Sequence, residues 1–231
     1  MPPPLFPTRF FSIAAIILFG ALLFTCYYRA EHFDDAWFAE QSYWLVQDGW
    51  VRSELFRGQN GWEDRIYVFH KLFIYAGALV MRIAGFSLVA SKLLTTLCGV
   101  IAGCMIWHYN RRRGRQQQWL SVILYFGCGT IIRYFNVNRP EIMCMMLGFG
   151  SYMSLDRPDG KPPKAKLAGG LAGLAALTHL NGLIYLFAGA IWLLVRIGWR
   201  PVILFILAGG LVLSLYFADA VADGRMAMMI D

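Results

Sequence analysis

The sequence predicts an all-α, polytopic membrane protein with about seven transmembrane helices and a large first outer loop. Charged residues make up 15% of the chain, against about 25% in an average soluble domain. Seven apolar runs approach or reach the length that carries a helix across a bilayer, which takes ~20 residues. The basic residues also gather in clusters that one choice of orientation puts on a single side. The net charge of +7 therefore reads as Lys and Arg held at a cytoplasmic surface, and no nucleic-acid partner is expected.

The first run, Phe10 to Tyr28, follows Arg9 and is long for the apolar segment of a cleaved leader. No small-residue cleavage site follows it, so it reads as an uncleaved first span. The later runs are Leu88 to Tyr109, Trp119 to Ile132, Ile142 to Leu155, Leu167 to Leu180, Leu183 to Ile197 and Val202 to Ala218. The stretch Ile66 to Phe86 carries His70, Lys71 and Arg82, which leaves too short an apolar core to span. If it nevertheless crossed, the cluster Arg111, Arg112, Arg113 and Arg115 would fall outside. If it lies along the outer surface, that cluster joins Arg9, the group Arg157, Lys161, Lys164 and Lys166, and the pair Arg196 and Arg200 inside. We therefore read Ile66 to Phe86 as an interfacial or re-entrant helix.

The expected spans are 10–28, 88–109, 117–134, 140–155, 165–180, 182–197 and 201–218, with the N-terminus inside. Inner segments then hold eleven Lys and Arg against two acids, Asp156 and Asp159, and outer segments ten against twelve acids. The segment Asp159-Gly160-Lys161-Pro162-Pro163-Lys164 marks an inner turn. Gly169, Gly170, Ala172 and Gly173 give the fifth span a small-residue face for close helix packing. The five cysteines show no C-x-x-C spacing and read as small buried apolar residues.

The outer loop, about 29–87, carries the candidate chemistry. Asp34 and Asp35 follow the first span and sit among Phe33, Trp37 and Phe38. Carboxylates held at a membrane surface suggest function, with Asp34 as a general base; capping of a helix that starts near Ala36 explains the pair equally well. Arg139, Pro140 and Glu141 lie at the outer mouth of the fourth span. There Pro140 and Glu141 suit a helix start, or Glu141 supplies a second carboxylate and Arg139 a phosphate fork. Arg133 lies one to two turns earlier and could join that fork. His70 and Lys71 either snorkel to water or hold a lipid phosphate. His179 falls in the outer hairpin Thr178-His179-Leu180-Asn181-Gly182.

In this order the motifs resemble the N-terminal half of the GT-C membrane glycosyltransferases, most closely the branch of dolichyl-phosphate-mannose protein mannosyltransferases and lipid A aminoarabinose transferases. Phe33-Asp34-Asp35-Ala36-Trp37-Phe38-Ala39-Glu40 resembles the family's acidic pair and the helix after it, and Asp48-Gly49-Trp50 its loop turn. Arg82-Ile83-Ala84-Gly85-Phe86-Ser87, Arg139-Pro140-Glu141, and Gly170 to His179 resemble three further stretches. Asp35 stands where Glu is usual, Glu141 where Asp is, and His179 where Lys is common; the prolines that accompany the family's basic residue near position 69 are missing.

The resemblance implies transfer of a sugar from a polyprenyl-phosphate carrier, with inversion, to a protein, lipid or glycan acceptor on the outer face of a bacterial inner membrane. It implies a single module over 1–231 without the C-terminal spans of longer relatives. Asp34, Asp35 and Glu141 would be catalytic, His70, Lys71 and Arg139 would bind the donor phosphate, and His179 would touch substrate. A divalent cation (Mg or Mn) bridging Asp34 and Glu141 is allowed, although two carboxylates do not demand one. A transporter or flippase of a lipid-linked substrate, and a non-catalytic membrane subunit, are the competing classes. The former predicts ionisable residues near mid-span, whereas the acids here gather in outer loops.

Overall fold

A computed structural model describes residues 7–30, 32–157 and 160–229; Asp159, assigned to the inner turn, lies outside them, as does the side chain of Cys26. The described chain is helical with no strands. In order, α1 spans Thr8–Tyr28, α2 Phe33–Gln47, α3 Lys71–Ala84, α4 Leu88–Tyr109, α5 Arg115–Phe126, α6 Gly129–Tyr134, α7 Glu141–Leu155, α8 Ala165–Thr178, α9 Leu183–Arg196, α10 Trp199–Ser214 and α11 Ala218–Ala222.

Among the described residues, three helical stretches are long and apolar enough to cross a bilayer: Thr8–Thr25, Leu88–Tyr109 and Trp199–Ala222. Helices α8 and α9 are apolar but shorter. The outward faces carry large apolar side chains, among them Ile16, Ile17, Phe187, Val195, Leu207 and Leu211. A water-soluble monomer rarely exposes so continuous an apolar surface, and a polytopic membrane protein does so by necessity.

The stretch 117–134, expected as one span, is broken. Helix α5 ends at Phe126 and α6 begins at Gly129. The intervening Gly127-Cys128-Gly129 combines residues of low helix propensity, and two glycines expose the backbone at the break. The helix expected within Ile66 to Phe86 is present as α3, 14 residues long and hence about 21 Å. Its inner face buries Phe73, Ile74, Ala78 and Met81, while Tyr75, Leu79 and Ile83 point outward. Ser42 of α2 donates to the Ile74 carbonyl of α3 at 3.3 Å. A Cβ on Gly77 would come within 2.6 Å of that hydroxyl, so glycine sets how closely these two helices pack.

Two apolar cores result. One joins α1 through α7 around Phe38, Phe73, Ile74, Phe126 and Phe135. The other joins α7 through α10 around Ala168, Ala172, Leu193 and Phe205. In the second, α8 and α10 approach almost backbone to backbone. A Cβ on Gly169 would lie 2.1 Å from the Phe205 carbonyl oxygen, and one on Gly173 2.5 Å from that of Gly209. Gly170 faces open space, so the small-residue face consists of Gly169, Ala172 and Gly173. Of the cysteines, Cys98 and Cys144 are buried, whereas Cys104 and Cys128 are exposed on the described chain, against the expectation for that pair.

Gly169→Val should therefore force α8 and α10 apart and lower the melting temperature of the detergent-solubilised protein by well over 5 °C. Gly170→Val should change it by less than about 2 °C, since overpacking costs about 1–3 kcal/mol only where space is lacking.

Candidate active site

The connections bring most of the candidate residues to one end of the bundle. The C-terminal ends of α1 and α8 meet the N-terminal ends of α2, α3, α4 and α7 there. His32 N-caps α2, its Nδ1 accepting the Asp34 amide at 3.2 Å, while the Asp35 carboxylate accepts the His32 amide at 2.8 Å. This is a capping box with histidine in place of Ser or Thr.

Asp34 and Asp35 then separate in role. Asp35 is 1% exposed. Its other oxygen accepts the backbone N–H of Asn138 at 2.6 Å, and buried Lys92 of α4 approaches at 3.5 Å. Both oxygens are thus committed to holding α2 against α4 and the α6 to α7 link. Asp35 is corrected from a catalytic to an anchoring carboxylate, because no edge of it is open to a reacting group.

Asp34 is about one-fifth exposed, and its carboxylate meets the Arg139 guanidinium at 2.9 Å and His32 Nδ1 at 3.2 Å. Arg139 also pairs with Glu141, through Nη2 at 2.5 Å and Nε at 3.2 Å. One guanidinium therefore bridges two carboxylates that are more than a hundred positions apart in the chain. Burial works against the charge of Arg139, but its hydrogen bonds to the Glu141 carboxylate and then the field of Asp34 hold its pKa above the ordinary value.

Pro140 caps the start of α7 and Glu141 occupies its first turn, where a negative charge complements the helix dipole. Capping and pairing thus coexist at Glu141. The guanidinium fills the position a divalent ion would need between Asp34 and Glu141. No group of three or more His, Cys, Asp or Glu suited to a metal occurs among the described residues. The side chains present do not fit a bridging cation.

His70 and Lys71 point in different directions. The His70 ring stacks on His179 with centroids 4.8 Å apart and planes 19° apart, and it meets Phe38 edge-on at 5.2 Å. Burial, and then the facing His179, hold His70 down to about 4, although Glu141 acts in the opposite sense. A cavity of about 110 Å³ lies beside the stack, lined by Val68, Phe69, His70, His179, Leu180 and Tyr216 among others.

Lys71 is 4% exposed and is held by both oxygens of Asp219, at 2.5 and 2.6 Å. Burial lowers its pKa while the Asp219 carboxylate opposes that shift. Arg65 and Tyr67 bind Asp223 nearby, at 2.5 and 2.9 Å. Lys71, expected as a phosphate ligand, is instead the partner of Asp219, since both oxygens of that carboxylate accept from its buried ammonium.

The sequence reading missed several residues that organise this end. Glu40 accepts from Ser53 Oγ at 2.6 Å and from the Glu54 and Leu55 amides at 2.6 and 3.2 Å, and so folds the outer loop onto α2. Arg52 pairs with Asp48 at 2.6 Å and lies 3.4 Å over the Trp44 ring. The signal available was an acid in the middle of an aromatic helix, six residues after Asp34. Lys92, Asn138 and Asp219 carry no local pattern. Comparison with family models, curated proteins and solved structures finds no match for the chain.

Two measurements check this site. Asp35→Ala takes a buried carboxylate away from Lys92 and leaves the His32 and Asn138 amides without their acceptor, which should cost about 3–5 kcal/mol and lower the unfolding midpoint in denaturant accordingly. His70 is neutral in the folded chain down to about pH 4, while the unfolded chain takes up the proton near its usual pKa of about 6.5. The stability this burial permits is complete above that pH and is lost as pH falls toward 4. Thermal melts should show that decline, at most about 3 kcal/mol, and His70→Gln should flatten it.

Proposed function

We propose that this chain is a membrane glycosyltransferase that moves a sugar from a polyprenyl-phosphate donor to an acceptor on the outer side of the membrane. The observation that carries the reading is the Asp34, Arg139 and Glu141 constellation. It joins two carboxylates from different helices at one end of an apolar bundle, beside the His70 and His179 stack. Seven crossings, with α5 and α6 together forming the third, are part of this proposal, as is the outer location of the cluster. Its support is charge: Arg111 to Arg113, Arg157, Lys164, Lys166, Arg196 and Arg200 all lie toward the opposite end of the helices, where Lys and Arg are retained.

In the mechanism Asp34 accepts the proton of an acceptor hydroxyl or amine. The acceptor atom attacks the anomeric carbon from the face opposite the carrier. The bond from that carbon to the phosphate oxygen breaks, and the carrier leaves as a phosphate monoester. Arg139 keeps the Asp34 carboxylate oriented and lends positive charge as the negative charge on the phosphate grows. Glu141 fixes the guanidinium from the other side.

Asp34→Asn keeps the size and shape of the side chain but removes the proton acceptor. Transfer from a radiolabelled polyprenyl-phosphate sugar by the purified protein should fall by about 10² to 10⁴-fold, with an unchanged melting temperature. Transfer at the full rate would end the catalytic assignment. Glu141→Gln should have a smaller effect, because it loosens Arg139 without removing the base.

A further inference from the structure

We infer that the phosphate of the lipid carrier is seated by Arg29 and Arg133, at the outer end of a lateral groove between α1 and α6. This inference rests on the donor class proposed above and replaces Lys71 as the carrier's phosphate ligand.

The groove has a volume of about 390 Å³ and is lined by Phe24, Thr25, Tyr28, Arg29, Ile132 and Arg133. Phe24 and Tyr28 are about two-thirds exposed and Ile132 about half, so its apolar wall opens onto the surroundings of the bundle. It lies beyond the break at Gly127, where α5 gives way to the short α6. Asn136 donates to Thr25 Oγ1 at 2.8 Å, and an Arg29 guanidinium nitrogen donates to the Arg133 carbonyl. These bonds hold both walls in place and bring two guanidinium groups to one mouth.

That combination matches a single class of ligand. A polyprenyl monophosphate couples a branched apolar chain to a dianionic head, and it reaches the protein from within the bilayer. Phe24, Tyr28 and Ile132 suit the chain, and Arg29 and Arg133, which line the same groove, suit the phosphate, an anion that arginine binds by two parallel hydrogen bonds.

The groove is also joined to the candidate site. The Arg133 guanidinium lies 5.4 Å from the centroid of the Tyr134 ring, and that of Arg139 lies 5.0 Å from the same ring. A carrier phosphate on Arg133 therefore sits one aromatic ring away from the arginine that bridges Asp34 and Glu141.

Binding of undecaprenyl monophosphate to the full chain in detergent, followed by native mass spectrometry, tests this. Arg133→Gln removes the guanidinium but keeps the carbonyl that accepts from Arg29, so the α1 to α6 tie persists. It should weaken binding about tenfold, the loss of one charge-assisted hydrogen bond, while Arg133→Lys recovers part of it. Ile132→Trp, which fills the groove, should weaken binding without changing any charge. Undecaprenol, which lacks the phosphate, should bind the wild type and Arg133→Gln equally.

Undiminished phosphate binding by both Arg133→Gln and Ile132→Trp would overturn the groove assignment and leave the transferase reading standing. Phosphatidylglycerol displacing the probe at equal concentration would make the groove a general anionic-lipid site and overturn the assignment as well. Failure of the transferase reading has a different signature, full transfer by Asp34→Asn, and does not depend on these binding results.

Discussion

The buried Asp35 carboxylate is the constraint on which the end of the bundle that holds the candidate site depends. A carboxylate with 1% exposure persists only if its charge and lone pairs are met inside the protein. Here they are met by the His32 amide, the Asn138 amide and the Lys92 ammonium. Those three partners come from the start of α2, the link before α7, and α4. Satisfying one side chain therefore fixes where three segments begin, and Asp34 and Arg139 are set by their immediate neighbours. The adjacent acids divide the work: the inward one holds the scaffold so that the outward one can meet Arg139.

A second set of charges closes the same end from the C-terminal side. Asp219 and Asp223 follow α10 and take up Lys71, Arg65 and Tyr67. Helix α3 is consequently tied at its first residue to α11, rather than lying loose on the bundle. This tie removes Lys71 from solvent, and it leaves the half-buried His70 stacked on His179 at that corner. The aromatic sequence Trp62, Trp37, Phe38 and His70 then forms a continuous packed wall beside Asp34.

Much of the fold was legible in the chain. Apolar runs near spanning length located α1, α4, α7, α8, α9 and α10 to within a few residues, because helix ends follow where apolar periodicity stops and Gly, Pro or charge begins. The stretch Ile66 to Phe86 was expected to hold a short helix, and α3 is present there. The break between α5 and α6 was present as Gly127-Cys128-Gly129 but was passed over, since hydropathy averages across a break in the backbone. At the candidate site, the acidic pair and Arg139-Pro140-Glu141 were visible as local patterns.

What the sequence alone determined is the helical class, the apolar exterior and the chemical types gathered in the outer loops; these follow from composition and from periodicities that operate over a few turns. Only the tertiary structure decided which carboxylate is buried, which is bridged by Arg139, and that Lys71 belongs to Asp219. Those outcomes are contacts across about 100 to 150 positions of the chain, and no local spacing encodes them. Adjacent aspartates are chemically identical in sequence. They become different groups only when a 100° turn of α2 directs one toward Lys92 and the other toward Arg139.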